Sequence, residues 1–128
     1  MIKVITTLKK KAGLSTEDFR AYYETHHRLI GEKYLAGYAT RYVRRYLEPM
    51  AGADGKLHEP EYDVLLELWF PDKATWQACA AGLSEPAAAE EIARDEEHLF
   101  DRSRKRSYLV EEIESNMVAG ESTEQPGQ

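Results

Sequence analysis

The sequence is poor in the features that would declare a chemistry outright. It holds one cysteine, Cys79, in 128 residues. A lone thiol forms no internal disulfide, which favours a reducing compartment and leads to the expectation of a cytoplasmic protein. No apolar run approaches the roughly 20 residues needed to span a bilayer. The opening MIKVITTLKKK places its charges after a short apolar stretch, the reverse of a secretory leader. Basic residues are in deficit: 17 Lys and Arg face 23 Asp and Glu, for a net charge of −6. That balance disfavours a nucleic-acid partner, whose footprint is basic, and a polybasic membrane-surface segment. The chain has no Gly-rich phosphate loop, dinucleotide fingerprint or nucleophile elbow. Nor is there a metal-ligand cluster. His26 and His27 diverge by about 100° on a helix, and a His-His pair there is poor chelating geometry. The expectation is therefore no cofactor and no metal.

What the sequence does have is a concentration of tyrosine. Tyr22, Tyr23, Tyr34, Tyr38, Tyr42 and Tyr46 fall in one stretch. Each brings a large apolar body with a polar tip, suited to a core edge, an interface or a pocket wall. Around them the pattern predicts four strands and two helical regions. Residues 2–9 are rich in β-branched side chains and read as a strand, with Lys9-Lys10-Lys11 as a solvated end. Ser15 or Thr16, followed by Glu17 and Asp18, caps a helix. Phe19, Tyr22, Tyr23, His26, Ile30 and Tyr34 recur along it at spacings of three and four, forming one apolar stripe with His27 on its flank; Gly37 ends it. Residues 39–47 form a second strand, 48–61 a long loop with Pro49, Gly52, Gly55 and Pro60, and 62–70 a third strand. A helix then runs from Asp72 to about Leu83, a second helical piece opens at Pro86, and residues 107–113 form a fourth strand.

The order β-α-β-β-α-β is that of an α+β, ferredoxin-like fold with an antiparallel sheet and helices on one face. It occupies residues 1–114 as a single domain, followed by a tail at 115–128 expected to be flexible or to lie across a partner. The third strand is apolar on both alternation sets: Val64, Leu66, Leu68 and Phe70 on one, Leu65 and Trp69 on the other. Such a strand is expected to be buried on both faces. In a lone chain one set would face water. Each large side chain buried instead contributes about 1.5–3 kcal/mol, so a homodimer packed sheet to sheet is expected.

His27 is the leading candidate for chemistry, because imidazole transfers protons near neutrality. Glu67 stands among Leu65, Leu66, Leu68 and Trp69, where a carboxylate must be paired or protonated; it is either an acid assisting His27 or the partner of Arg41, Arg44 or Arg45. Asp63 reads as a rim residue. Arg44 shares an alternation face with Tyr42 and Tyr46, and that face could hold a phenolic or anionic ligand. Tyr22, Tyr23, His26, Tyr42, Arg44 and Trp69 are the expected substrate-binding residues. Asp95 and His98 lie one helical turn apart on a solvated face, and Cys79 reads as buried and inert.

Three stretches together resemble the EthD-domain family of dimeric α/β barrels. FRAYYETHHRLIGE (19–32) is similar to that family's first-helix pattern in Phe19, Tyr22 and His27, with Tyr23 where Trp is usual and Leu29 where Pro is common. YDVLLELWF matches in Asp63, Glu67, Trp69 and Phe70, and RDEEHLFD in Asp95, Glu96, Phe100 and Asp101. The resemblance covers about residues 2–113. It implies a homodimer with a pocket between helices and sheet, and roles in transforming hydrophobic, including polyketide-type aromatic, small molecules. The implied activity is a cofactor-free dehydratase, lyase or isomerase acting by proton transfer, with His27 as base or acid, Glu67 assisting, and Tyr22, Tyr42 or Arg44 stabilising a developing enolate or phenolate. A binding protein without chemistry, or a haem- or oxygen-using monooxygenase of the same superfamily, are the alternatives.

Overall fold

A computed structural model describes residues 1–119. β1 (Ile2–Leu8) leads through a turn at Gly13 into a helix of three parts: α1 (Thr16–Tyr22), a π-helical turn (Tyr23–His27) and α2 (Arg28–Leu35). β2 (Arg41–Tyr46) and β3 (Val64–Phe70) follow, then α3 (Lys73–Leu83), α4 (Pro86–Glu96), a short 3-10 turn (Arg102–Arg104) and β4 (Arg106–Leu109). The strands form one antiparallel sheet in the order β2-β3-β1-β4. This is the ferredoxin-like α+β arrangement expected from the pattern. β4 is shorter than the 107–113 expected; beyond Leu109 only the Val110 N–H to Lys3 carbonyl bond continues the ladder. Of the tail expected at 115–128, residues 115–119 are exposed and lie outside helix and strand, and 120–128 fall outside the described residues. No helix among the described residues is long and apolar enough to cross a membrane.

Local chemistry explains the element ends. The Ser15 hydroxyl accepts from the Asp18 N–H at 3.0 Å and starts α1. The Asp72 carboxylate does the same for α3, accepting from the Thr75 N–H at 2.7 Å. Both satisfy N–H groups that the first helical turn leaves without partners. Gly37, at φ +87°, takes the left-handed conformation that turns the chain out of α2 towards β2.

The 48–61 loop is pinned by its base. Lys9, expected to be solvated, is buried: its ammonium donates to Glu59 at 2.6 Å and to the Pro60 carbonyl at 2.8 Å. Asp63, expected at a rim, is buried as well and accepts from the Lys10 N–H at 2.8 Å. The long loop covers both groups, and its own backbone supplies one of the partners.

Two apolar clusters fill the space between helices and sheet. Leu8, Phe19, Tyr23, Val64, Leu99 and Phe100 pack at one end. Leu35, Phe70 and Cys79 pack at the other. Edge-to-face contacts knit the first cluster, with Phe19 and Phe100 centroids 5.8 Å apart. Between the clusters the layer is not filled. On β3 the helix-facing set runs Val64 buried, Leu66 and Leu68 only partly buried, Phe70 buried. The middle of the sheet therefore floors an open space.

The other face of the sheet carries Ile5, Val43, Leu65 and Trp69, partly exposed, among charged groups. Arg45 pairs with Glu67 at 3.0 Å. The Trp69 ring is flanked by the Lys3 ammonium at 4.0 Å and the Arg41 guanidinium at 4.5 Å. Burial of β3 on both faces is thus not achieved within one chain: its outer set is roofed only by long cationic side chains.

Candidate functional site: a cavity walled by His27 and two tyrosines

The first helix positions the site through its π turn. An α-helix advances 100° per residue, so a repeat of four drifts by about 40° each time. Phe19, Tyr23, His27, Gly31 and Leu35 are spaced by four throughout, and a purely α-helical chain would carry the last of them far from the first. The wider turn at Tyr23–His27 takes up this drift. Phe19, Tyr23, His27 and Leu35 all end up buried. The same rephasing turns His26 out. His26 is exposed, stacked on the Tyr22 ring at 4.5 Å, and takes no part in the cavity wall. The α-helical stripe that placed His26 inside and His27 on the flank is corrected by this one turn.

The cavity holds about 330 Å³, at the small end of ligand pockets. Val4, Leu66, Leu68 and Phe70 form its floor; Leu35, Trp76, Cys79 and Leu83 form apolar walls. The polar groups facing it are few: His27, the Tyr23–Tyr42 pair, Thr6, Ser107, Glu96 and Lys105. It opens where its lining residues are exposed, at Lys105 and Ser107 on the β4 side and at Ala80 on α3.

His27 is held from behind. Its Nδ1 lies 2.8 Å from Asp95 Oδ2, and the Tyr22 hydroxyl donates to Asp95 Oδ1 at 2.6 Å. A carboxylate only accepts, so the pair fixes the tautomer with the proton on Nδ1. The ring packs edge-on against Tyr23 and Phe100, with centroids 5.1 and 5.5 Å away. Nε2 has no hydrogen-bond partner among the described residues, and the ring borders the cavity. An imidazole so held keeps the Nε2 lone pair free of protein partners among the described residues, on a side chain that borders an apolar space. Asp95, read from the sequence as part of a solvated helix face with His98, is instead the side chain that holds His27. It lies 68 positions from His27, and no local spacing signals such a pairing.

Beside the imidazole, the Tyr23 and Tyr42 hydroxyls meet at 2.6 Å. Burial pushes the Tyr23 phenol well above its ordinary value, the neighbouring Tyr42 adds to this, and burial raises Tyr42 as well. Both remain protonated at neutral pH and serve as donors. Tyr42 fits because residue 31 is glycine: a Cβ there would stand 2.9 Å from the Tyr42 hydroxyl oxygen. Arg44 and Tyr46, next along the same face of β2, bind Glu24 instead of the cavity. The Arg44 guanidinium reaches both Glu24 oxygens, at 2.9 and 2.7 Å, and Tyr46 donates at 2.6 Å. The Arg44 bonds hold the Glu24 carboxyl below its usual range.

Of the residues expected to bind substrate, the structure thus brings Tyr23 and Tyr42 to the cavity together with His27. Tyr22 stands behind, on Asp95, where burial and then the Asp95 bond push its phenol up to about 12. Arg44 is occupied by Glu24. Glu67 and Trp69 lie on the opposite face of the sheet, because alternation gives the helix side to Leu66, Leu68 and Phe70. Within one chain Glu67 therefore cannot assist His27. The indole N–H of Trp69 and the Arg45 guanidinium hold its carboxyl low, which is the ion-pair alternative weighed for it. Cys79 is buried with its thiol pushed up by burial, as an inert wall residue. Among the described residues no three His, Cys, Asp or Glu side chains converge as metal ligands.

A four-stranded antiparallel sheet in this order, with helices on one side and a tyrosine- and histidine-lined cavity between the layers, defines a ferredoxin-like α+β domain. The sequence profile of the EthD domain matches residues 11–103, and the chain belongs to the EthD-domain family. Solved structures agree in fold. An Arabidopsis thaliana protein, At3g17210, superposes with a TM-score of 0.58 at 14% identity, covering 91% of this chain and all of that one. An EthD-family protein, bh0200, from Bacillus halodurans gives 0.56 at 14% identity, covering 88% and 100%. HapK from Hahella chejuensis gives 0.51 at 12%, covering 94% and 100%. No curated protein sequence matches the chain.

Proposed function

We propose that the protein is a cofactor-independent lyase, dehydratase or isomerase that moves a proton on a small cyclic or phenolic molecule held in the cavity. The observation that carries this reading is how His27 is held at the cavity: Nδ1 is committed to Asp95, Nε2 has no hydrogen-bond partner among the described residues, and the side chain lines the apolar space. Nε2 takes a proton from the carbon next to a substrate carbonyl, and the electron pair of that C–H bond moves onto the carbonyl oxygen. The Tyr42 hydroxyl, aided by Tyr23, donates to the oxygen as charge develops there. Asp95 faces the imidazolium that results, so the charge formed is met where it forms. Return of the proton to another carbon completes an isomerisation; its delivery to a leaving hydroxyl completes a dehydration. The apolar lining excludes water and strengthens each of these interactions.

The test does not need the physiological substrate. The wild-type protein is expected to accelerate exchange of the acidic ring protons of 2-tetralone into deuterium oxide, followed by NMR. His27→Ala is expected to reduce the rate to that of buffer. A folded His27→Ala protein exchanging at the wild-type rate removes the proposal.

The same reading includes a homodimer joined through the outer sheet face. Its support is the partly exposed set Ile5, Val43, Leu65 and Trp69, with the Arg45–Glu67 pair among them. Light scattering is expected to give twice the chain mass for the wild type and the chain mass for Leu65→Glu; a monomeric wild type contradicts it.

A further inference from the structure

The cavity mouth has a charge pattern opposite to that of the chain. The net charge is −6, yet Arg102, Arg104, Lys105 and Arg106 fall within five residues, the first three on the segment that joins α4 to β4 and the last opening β4, beside the cavity-lining Ser107. Two of these are turned away. Arg104 donates to the Glu61 carbonyl at 3.2 Å, and Arg106 folds back on the Ser103 and Lys105 carbonyls. The other two converge on Glu96, whose side chain is only 5% exposed and borders the cavity. Lys105 Nζ lies 2.8 Å from Glu96 Oε2, and Arg102 Nε lies 3.4 Å from Oε1. Two cations thus share one carboxylate and leave a surplus of one positive charge at the rim.

Lys105 is the member that lines the cavity, with its side chain 40% exposed. An ammonium has three donors, and among the described residues only one is engaged, on Glu96. Beside it the Thr6 and Ser107 hydroxyls meet at 2.8 Å. Only one of the two protons is used between them, so the pair has a further hydroxyl to donate. Free donors and net positive charge at the edge of an apolar cavity form a site for an anionic oxygen group attached to a hydrophobic body. Glu96, buried and bound by both cations, holds Lys105 over the opening.

We propose that this rim is an anion subsite and that the molecule bound in the cavity carries a carboxylate, read by Lys105 with Ser107 and Thr6. The inference deepens the proposed function and rests on its cavity: the ring occupies the space near His27 and Tyr42, and the carboxylate stays at the mouth. The surplus charge also draws anionic ligands towards the opening of an otherwise acidic protein.

Binding of 2-naphthoate and of its neutral counterpart, 2-naphthamide, separates the two claims, with calorimetry as the readout. The wild type is expected to bind the acid about five- to tenfold more tightly than the amide, the range for a half-exposed charged contact. The preference is expected to shrink with added salt. Lys105→Gln is expected to abolish it while leaving amide affinity unchanged, and Lys105→Arg to keep it. Glu96→Gln, which frees Lys105 from its internal partner, is expected to raise affinity for the acid alone. Equal binding of acid and amide by the wild type, or a preference that survives Lys105→Gln, overturns the subsite and leaves the cavity reading standing. Failure of both probes to bind overturns both.

Discussion

Replacing Asp95 by Asn alters one atom and tests the orientation of His27 without needing a substrate. Asp95 accepts two bonds, from His27 Nδ1 at 2.8 Å and from the Tyr22 hydroxyl at 2.6 Å. An asparagine keeps its carbonyl for Tyr22 and turns its NH2 to His27. Nδ1 must then accept, which moves the ring proton to Nε2. The cavity is offered an N–H where it had a lone pair, and proton abstraction is expected to fall by about 10²–10⁴. Stability is expected to fall modestly, because a hydrogen bond to a charged group contributes about 1.5–3 kcal/mol and a neutral one about 0.5–1.5 kcal/mol. Two such exchanges, partly offset by the shape match, give a loss of about 1–2 kcal/mol. Long-range proton–nitrogen NMR on histidine-labelled protein, in alkaline buffer where free imidazole is neutral, reports the tautomer directly. The wild type is expected to show His27 protonated on Nδ1, and Asp95→Asn on Nε2. The reasoning is refuted if the two proteins show the same tautomer, or if Asp95→Asn exchanges 2-tetralone protons at the wild-type rate.

Gly31→Ala sets a helix-propensity gain of about 1 kcal/mol against a Cβ placed 2.9 Å from the Tyr42 hydroxyl and 3.1 Å from its ring. Overpacking costs about 1–3 kcal/mol, so urea denaturation is expected to show net destabilisation. In a Tyr42→Val background the same change is expected to stabilise; an unchanged sign there contradicts the contact. Alkaline stability follows from the phenols. Burial raises Tyr22, Tyr23, Tyr42 and Tyr46 above the ordinary value of 10.0, so above pH 10 the folded state binds more protons than the unfolded one. Their contribution is complete below pH 10 and is lost as pH rises from there through the folded values, which for Tyr22 is about 12. Urea melts across this window are expected to show a steady decline, and a flat profile contradicts it.

The fold was legible because each strand and helix announces itself locally. β-branched runs, the Ser15 and Asp72 caps, Gly37 and Pro86 all act within a few residues of where they stand. His27 was legible for the same reason, as an imidazole beside a tyrosine stripe. Its exact facing was not, because a π turn is a register shift of the whole helix that a 3.6-residue reading cannot contain. The opposite fates of Glu67 and Leu66 were hidden for a different reason. Both alternation sets of β3 are apolar, so the pattern alone does not say which one meets the helices. Asp95 and Glu96, adjacent on α4, serve different partners in different elements: His27 in the first helix and Lys105 before β4. Such long-range pairings are a product of topology, and the sequence shows only an acidic stretch.

A crystal structure of the protein soaked with 2-naphthol probes the cavity and its imidazole at once. The ring is expected over Leu66 and Leu68, with its oxygen within hydrogen-bond distance of His27 Nε2 or the Tyr42 hydroxyl. A naphthol bound elsewhere, or a His27 ring turned from the space between helices and sheet, contradicts the proposed chemistry.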